Sequence, residues 1–258
     1  MLVPVPEAVE RVLPSGTVAR LSPDPFVAGA LTLSLDSVPQ SHVSLRDPRH
    51  LFYDYVSRMG TAIDLISRAA EPITVLHLGA GALTLARYVA ETRPGSRQLA
   101  VESEKGLVPF VLEEAPLPRS ATIDLIESDA LSALDALASA DSGWTGLADV
   151  VICDLYSGLE TPAHLVTTAF FRAVRSVLSP GGTLLANVAD DADLARSDAQ
   201  LAALSAVFPR VAMIGPSALL DGREAGNVVL LAGCDPAIIE RMPSLAAAGP
   251  HPVTWRAL

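Results

Sequence analysis

The segment 73–84, ITVLHLGAGALT, constrains the fold more than any other stretch of this chain. Its apolar run VLHL suits a buried strand, Gly79-Ala80-Gly81 interrupts the run, and the helical pattern LARYVAETR follows. Glycines let the backbone turn sharply and approach a ligand, and the helix that begins there presents unpaired N–H groups. Tight turns in ligand-free α/β proteins also use glycine, so the turn alone is weak evidence for a nucleotide-type site.

A second apolar strand, QLAVE, strengthens that interpretation because it ends in Glu102, about 20 residues further on. An acid at this point reaches the ribose hydroxyls of a nucleoside, since a carboxylate can accept hydrogen bonds from both. The alternative is a surface acid that caps the helix beginning at Gly106, and Glu104 is equally well placed for the ribose. The two signals together favour a nucleoside-like ligand.

Strands and helices alternate after residue 72, and strands such as VLHL, VVIC and VVLLA are apolar throughout. This pattern predicts an α/β, Rossmann-like fold with a mostly parallel sheet that helices cover on both faces. The predicted strands span 73–78, 98–102, 121–127, 149–154 and 182–188, and the predicted helices span 83–92, 106–114, 131–140, 164–178 and 191–207. Two further strands, 210–215 and 227–232, are joined by a turn-rich loop without a helix. They predict an antiparallel hairpin at the sheet edge.

The N-terminal region differs from the rest because residues 26–43 alternate in the manner of β-strands around a turn at Asp36-Ser37. A helix is expected over 46–68, with Asp47-Pro48 marking its start. We therefore expect a small N-terminal β-hairpin unit (1–45), a Rossmann-like nucleoside-binding domain (46–234) and a C-terminal tail (235–258) with a short helix around 238–247.

Composition limits the partners and the compartment. The formal net charge of −11 argues against a nucleic-acid partner, because phosphate binding needs a basic face. It permits a cationic substrate such as a polyamine, although acidity alone also aids solubility. No apolar run reaches the roughly 18 residues that span a bilayer, and the first residues do not form a signal peptide. Cys153 and Cys234 lie in strand-like contexts typical of reduced core cysteines, so we expect a cytoplasmic protein that binds no membrane.

Acidic residues follow three successive strands, at Glu102, Asp129 and Asp154, and Asn187 ends the next strand. Ligands of open α/β sheets bind beyond these strand ends, so the acids are candidates for one site. Asp129 could accept a hydrogen bond from an adenine amino group, or it could cap the helix that begins at Leu131. Asp154 could take a proton from an attacking amine, or it could be a loop acid with no partner.

Other chemistries find little support in the sequence. No metal site is expected, because four of the histidines are scattered without metal-ligand spacing, namely His42, His50, His77 and His164. His77, within the first strand, has the context of a core histidine. Ser157-Gly158 lacks the GxSxG elbow of hydrolases, and the chain has no GK[ST] motif for phosphoryl transfer.

Between about residues 31 and 232 the chain resembles the spermidine synthase (aminopropyltransferase) family. In the N-terminal part, LDSVPQ (35–40) resembles the family's LDGVxQ hairpin, and FYD (52–54) resembles its F-x-Y-H/Q-E-M helix start. In the nucleoside-binding part, residues 76–83 resemble its glycine-rich turn, VE (101–102) its ribose acid, and SDA (128–130) its adenine-side GDG. Further along, residues 149–154 resemble its DVIIxD strand, and PA (162–163) resembles the PA after its loop. The family shares its sheet with class I S-adenosylmethionine-dependent methyltransferases, and the N-terminal hairpin favours the aminopropyltransferases.

The resemblance implies a role for each candidate residue. The nucleoside would be surrounded by Gln40, Gly79, Gly81, Glu102 and Asp129. Asp154 would be the general base that deprotonates the attacking amine, while Tyr53 and Tyr156 would contact that substrate. The donor would be decarboxylated S-adenosylmethionine, or S-adenosylmethionine itself, and the acceptor a polyamine or another amine. A homodimer is also implied.

Three positions depart from the family pattern. Ala82 stands where the glycine-rich turn carries an acid for the donor's aminopropyl ammonium. The loop after Asp154 has Ser157 in place of a second acid, and Asp54 follows the channel tyrosine in place of His or Gln. Glu160 or Asp54 could substitute for the missing acids. An S-adenosylmethionine-dependent methyltransferase and a non-catalytic nucleoside-binding protein are therefore the alternative functions.

Overall fold

The computed structural model describes residues 7–119, 121–156 and 161–258, which contain two β-sheets. A four-stranded antiparallel sheet forms first, in the order β1-β2-β3-β4. Its strands are β1 (Val9–Val12), β2 (Val18–Pro23), β3 (Ala30–Leu35) and β4 (Val38–Ser44). The predicted hairpin corresponds to β3 and β4. Asp36 and Ser37 form its turn with φ of 46° and 69°, as a tight hairpin turn requires.

The sheet is larger than the predicted hairpin unit because β1 and β2 add to it. Both strands lie in the proline-rich region before Asp24, where the sequence gives no clear β-pattern. The outer strand β1 is mostly exposed, and Val12 is 70% accessible, so burial imposes little alternation on it. In β2, Ala19 and Leu21 are buried. They pack into a cluster with Leu33 and Phe110 that joins this sheet to the rest of the molecule.

The main sheet contains eight strands in the described residues, ordered β12-β10-β11-β9-β8-β5-β6-β7. Its strands are β5 (Thr74–Leu78), β6 (Arg97–Glu102), β7 (Ile123–Glu127), β8 (Ala148–Cys153), β9 (Leu178–Asp190), β10 (Arg210–Pro216), β11 (Gly226–Gly233) and β12 (Val253–Ala257). The pairs among β5 to β9 are parallel, and β10, β11 and β12 add antiparallel pairs. The predicted α/β fold with a mostly parallel sheet is confirmed.

The helices cover the main sheet and connect its strands. They are α1 (Asp54–Ile66), α2 (Thr84–Thr92), α3 (Leu107–Glu114), α4 (Ala130–Leu137), α5 (Thr168–Val177), α6 (Ala195–Ser205), α7 (Ser217–Leu220), α8 (Ala237–Glu240) and α9 (Met242–Ala248). Short 3-10 turns span Ala140–Ser142 and Ala163–Val166. None of the helices in the described ranges has the length and apolarity that crossing a membrane requires.

Helix α1 begins eight positions later than the sequence predicts. The Asp47 carboxylate accepts a hydrogen bond from the Arg49 N–H at 3.1 Å, and the His50 N–H donates to the Asp47 carbonyl at 3.0 Å. These bonds make Asp47-Pro48 a local turn, the other structure in which such residues are common. The helix instead starts after Tyr53, which provides no side-chain cap.

The end of the main sheet also differs from the prediction. Strands β10 and β11 are antiparallel as expected, but their connection contains α7, and β11 lies between β10 and β9. The sheet edge is β12, formed by residues of the predicted tail. Strand β12 has only five residues and follows a proline-rich stretch, so the local sequence does not predict it. Cys153 is buried as expected, whereas Cys234 is exposed because it follows the last residue of β11.

The central strands are buried on both faces, which explains their continuous apolar sequences. In β8, Val150 and Ile152 pack into one hydrophobic cluster, while Val151 and Cys153 pack into the cluster on the opposite face. Successive side chains of a strand point to opposite faces, so a strand covered twice cannot alternate with polar residues. This packing positions the strand ends, and most of the polar side chains described below lie where the strands end.

Candidate functional site

The carboxyl ends of the parallel strands β5, β6, β7 and β8 meet at one edge of the sheet. Backbone bonds continue past the strand ends, from the Gly79 N–H to the Val101 carbonyl (2.9 Å), from the Asp154 N–H to the Leu78 carbonyl (2.9 Å) and from the Ser128 N–H to the Glu102 carbonyl (2.8 Å). A cleft of about 1280 Å³, part of it open to solvent, lies above this edge. All eight candidate residues line it, namely Gln40, Tyr53, Gly79, Gly81, Glu102, Asp129, Asp154 and Tyr156.

The glycines of the turn after β5 are required by close packing of the chain itself. Gly79 has a φ of +91°, and a Cβ placed there would lie 2.1 Å from the Asp154 carbonyl oxygen. Gly81 has a φ of +48°, and its Cβ would lie 2.3 Å from Oγ of Ser41 in β4. The same hydroxyl accepts a hydrogen bond from the Ala82 N–H at 3.2 Å. The turn is therefore held between the end of β8 and the N-terminal sheet, and Ser41 is a contact that sequence reasoning missed.

Glu102 lies across the glycine turn. Its Oε2 accepts hydrogen bonds from the N–H groups of Ala80 (3.0 Å) and Gly81 (3.3 Å), and its Oε1 accepts from the Glu104 N–H (2.9 Å). Glu102 does not cap α3, because the Gly106 N–H donates to Glu127 at 3.0 Å. The competing acid, Glu104, accepts instead from Ser15 at 2.6 Å. Of the two acids, Glu102 is the one that lines the cleft.

Asp129 caps α4 and lines the cleft at the same time. Its Oδ1 accepts from the N–H groups of Leu131 (2.9 Å) and Ser132 (3.2 Å), so the capping alternative is confirmed. Its Oδ2 lies 3.1 Å from Nε2 of His164. Burial by itself would raise the pKa of Asp129, but the hydrogen bonds from His164 and the two N–H groups outweigh it and lower the pKa. An ionised carboxylate therefore stands on this side of the cleft.

Asp154 is held by side chains and has two partners, so it is not an isolated loop acid. Its Oδ2 accepts a hydrogen bond from the Tyr55 hydroxyl at 3.2 Å, and its Oδ1 accepts from the Asn187 amide at 2.9 Å. Asn187 in turn accepts from the Asn227 amide at 3.0 Å. Burial raises the pKa of Asp154, and the hydrogen bonds from Asn187 and Tyr55 offset this only in part. A carboxyl group in this state binds a proton more readily than an exposed one.

Tyr55 and Asn187 hold the candidate residue Asp154, and the sequence does not assign either of them to the site. Tyr55 fits the apolar spacing of α1, and the sequence shows Asn187 only as a polar residue near a strand end. The signal for Asn187 is its polar side chain inside the apolar strand β9, where it is 4% exposed. Buried polar groups need partners, and the side chain of Asn187 bonds to Asp154 and Asn227.

Three tyrosines line the same cleft as Asp154. The Tyr53 and Tyr55 rings are stacked, with centroids 6.0 Å apart, and the Tyr156 hydroxyl accepts from the Ala189 N–H at 2.7 Å. Burial raises the pKa of all three phenols, and Asp154 raises the pKa of Tyr55 and Tyr156 further. The three hydroxyls therefore stay protonated, and the Tyr55 hydroxyl donates to Asp154.

The positions that depart from the family pattern have different surroundings. Ala82 is completely buried against the N-terminal sheet, in a cluster with Val43 and Phe110, and does not line the cleft. Asp54 is exposed at the start of α1 and also lies outside the cleft lining. Ser157, Gly158 and Glu160 lie outside the described residues.

His77 borders the cleft from within β5 but has the role expected of a core histidine. It is 4% exposed, and its Nε2 lies 2.9 Å from Oε1 of Gln98. Burial lowers its pKa to about 4, so the ring is neutral at physiological pH. No group of three or more potential metal ligands occurs among the residues that the structure describes.

Solved structures similar to this chain include a probable spermidine synthase from Corynebacterium glutamicum, with a TM-score of 0.81 and 28% identity over 97% of this chain and 91% of that one. Human methyltransferase-like protein 13 in complex with SAH has a TM-score of 0.59 and 21% identity, covering 77% and 93% of the two chains. A spermidine synthase in complex with the transition-state analogue AdoDATO has a TM-score of 0.58 and 14% identity, covering 92% and 77%. No protein-family model and no curated protein matches the sequence.

Proposed function

We propose that this chain, which is similar to a probable spermidine synthase over 97% of its length, is an aminopropyltransferase. It transfers an aminopropyl group from decarboxylated S-adenosylmethionine to a polyamine or another amine. The observation that carries this proposal is the enclosed Asp154 carboxyl group with its raised pKa, which faces the same cleft as Glu102. This transfer requires a group that accepts a proton from the amine and a group that accepts hydrogen bonds from the ribose hydroxyls, both at the same edge of the sheet.

The nucleoside half of the cleft binds and orients the donor. Glu102 accepts hydrogen bonds from the ribose hydroxyls, and Asp129 stands on the adenine side together with Gln40 from β4. Both acids are already fixed by backbone N–H groups, so little side-chain freedom is lost when the donor binds. The S-adenosylmethionine-type sulfonium supplies a carbon that an amine can attack, with the thioether nucleoside as the leaving group.

The amine half prepares the nucleophile. An amine is protonated in water at neutral pH and cannot attack until it loses a proton, so Asp154 accepts that proton as general base. Tyr55 and Asn187 hold the two carboxylate oxygens in one orientation, and Tyr53 and Tyr156 line the approach. Positioning of the two reactants and proton removal together provide most of the rate enhancement that such a displacement needs.

Methyl transfer is the second candidate, and the surroundings of Ala82 favour it. The resemblance expects an acid at this position for the donor's aminopropyl ammonium, but Ala82 carries no charge and is buried against the N-terminal sheet. A donor that gives only its methyl group does not need that anchor. The same nucleoside half would then bind S-adenosylmethionine.

Mass spectrometry of reaction mixtures separates the candidates. We expect the protein, incubated with decarboxylated S-adenosylmethionine and putrescine, to release methylthioadenosine together with an amine heavier by one aminopropyl group. Methylated products from S-adenosylmethionine would establish the second candidate instead. If calorimetry detects nucleoside binding but neither donor gives a product with any amine tested, both transferase functions are refuted. The protein would then be a nucleoside-binding protein without this catalytic activity.

A further inference from the structure

A histidine–aspartate pair lies beside the cleft, and its histidine is one of the lining residues. His42 in β4 is 2% exposed, and its Nε2 lies 3.0 Å from Oδ2 of Asp24. The other oxygen of Asp24 accepts hydrogen bonds from the N–H groups of Phe26 (2.7 Å) and Val27 (2.8 Å). The two backbone hydrogen bonds lower the pKa of Asp24 most, and the hydrogen bond with His42 lowers it further. The Asp24 carboxyl group is therefore ionised.

The pair fixes which nitrogen of His42 carries the proton. An ionised carboxylate can only accept hydrogen bonds, so Nε2 of His42 donates to Asp24. In the neutral ring Nδ1 then carries a lone pair. Among the described residues this buried Nδ1 has no hydrogen-bond partner, and His42 lines the cleft. A buried acceptor without a partner is costly, and a ligand with an N–H donor would satisfy it.

An aromatic row connects His42 to the Asp154 carboxyl group. The His42 ring stacks on Phe52 at 4.3 Å, Phe52 contacts Tyr53 at 5.3 Å, and Tyr53 stacks with Tyr55 at 6.0 Å, measured between ring centroids. Tyr55 donates to Asp154, and every member of the row lines the same cleft. Aromatic faces attract cations and also pack against hydrocarbon chains. The row therefore suits an extended molecule with amino groups at both ends.

We propose that His42, backed by Asp24, binds the amino group of the acceptor that lies farthest from Asp154. This inference rests on the proposed function and adds a specificity residue to it. Nδ1 accepts a hydrogen bond from the far ammonium, and the Asp24 carboxylate behind the ring compensates its charge. The near amino group lies at Asp154, where it is deprotonated and attacks. The site thus selects linear diamines and longer polyamines over monoamines.

To test the proposal, amines are titrated by calorimetry into the wild-type protein that has been saturated with methylthioadenosine. We expect putrescine and spermidine to bind more tightly than butylamine. His42→Gln keeps a donor for Asp24 but removes the acceptor at Nδ1. It should weaken putrescine binding about tenfold, because a hydrogen bond to a charged group is lost. Its affinities for butylamine and for methylthioadenosine should stay within about twofold of wild type.

His50→Gln is the matched control. The His50 ring lies 6.0 Å from the His42 ring, and its Nε2 is also buried without a partner among the described residues. It does not belong to the cleft lining, so this variant should bind all three amines as wild type does. Equal weakening of putrescine and butylamine in His42→Gln, weaker methylthioadenosine binding, or no change at all would overturn the assignment.

Two further results separate this inference from the proposed function. If the wild type binds putrescine no more tightly than butylamine, the role of His42 is wrong while Asp154 can still act as base. If the wild type binds no amine at all, both proposals fail. Should His42→Gln not fold, the ring nitrogens of His42 in the wild type can be followed by NMR. Putrescine must then shift Nδ1 more than butylamine does, and equal shifts would overturn the inference.

Discussion

The two halves of the cleft hold their carboxylates in different ways. In the nucleoside half, Glu102 and Asp129 accept hydrogen bonds from backbone N–H groups of the turns beside them. In the amine half, the groups of the described residues that donate to Asp154 are both side chains, the Tyr55 hydroxyl and the Asn187 amide. The pKa shifts differ accordingly, since the pKa of Asp129 is lowered and that of Asp154 is raised.

This difference shows how one sheet edge can supply both a fixed acceptor and a proton carrier. Backbone N–H groups at a turn stabilise the ionised form of an acid and also shape the turn. A carboxylate enclosed by phenols and amides loses more hydration than these groups replace, so it takes up a proton more readily. The first kind of acid suits binding, and the second suits proton transfer.

The largest effect should come from Asp154→Asn. We expect turnover to fall by about 10²–10⁴-fold, the usual contribution of a general base, with nucleoside affinity unchanged. Steady-state rates and calorimetry measure the two quantities. Asp124→Asn, on the exposed side of β7, is the control and should retain full activity. Turnover that survives Asp154→Asn would place proton transfer elsewhere.

The same variant should not lose stability at neutral pH. Because burial raises the pKa of Asp154, the folded protein holds its proton at pH values where the unfolded chain has released it. Stability contributed by this group therefore falls as pH rises from the ordinary carboxyl range toward the folded-state pKa. Asp154→Asn removes this dependence, so its midpoint of thermal unfolding at pH 7 should equal or exceed that of wild type. A clearly lower midpoint would contradict the raised pKa.

Gly79→Ala should damage both halves of the cleft, because this turn joins them. The added Cβ would lie 2.1 Å from the Asp154 carbonyl oxygen at a φ of +91°. We expect a loss of at least about 2 kcal/mol in the free energy of unfolding, together with weaker nucleoside binding. Gly146→Ala is the matched control, since Gly146 also has a positive φ (+66°) but no atom within 4 Å of the added Cβ. Chemical denaturation should show a loss of only about 1 kcal/mol there, and similar losses in both variants would rule out the close contact as the cause.

Glu102→Gln tests the nucleoside half alone. Replacing the carboxylate removes the charge at the proposed ribose contact, so methylthioadenosine affinity should fall about tenfold. Glu104→Gln, which changes the neighbouring acid that faces Ser15, should leave the affinity unchanged. Titration calorimetry on both variants is sufficient. Equal losses would mean that overall negative charge, rather than the position of Glu102, governs binding.

Tyr55→Phe should produce the smallest effect and act only on the amine half. The Tyr55 hydroxyl favours the ionised form of Asp154, so its removal raises the pKa of that carboxyl group further. The acid limb of the pH–rate profile should therefore move to higher pH, with turnover at low pH reduced by no more than about tenfold. Tyr88→Phe removes a similar hydroxyl–carboxylate bond, to Asp64, away from the cleft, and it should not move the profile. A limb that stays in place in Tyr55→Phe would separate Tyr55 from the base.

Much of the fold could be predicted because its signals are local. The run VLHL followed by Gly79 and Gly81, and the buried strands β8 and β11, depend on residue types within a few positions of one another. The boundaries of α1 and the existence of β12 could not be predicted in this way. The first depended on whether Asp47 made a turn or a cap, and the second on a pairing with β10, some 40 residues earlier in the chain.

The sequence by itself determined the alternation of strands and helices from β5 to α6 and the acids that follow β6, β7 and β8, because periodicity and turn chemistry are properties of neighbouring residues. Only the tertiary structure decided what those acids bond to. Tyr55 reaches Asp154 across 99 positions of sequence and Asn187 reaches it across 33, while Ser41 and His42 enter the cleft wall from a separate sheet. Hydrogen bonds form between groups that folding brings within about 3 Å of each other. A local sequence pattern does not show which distant side chain will lie within that distance of an acid.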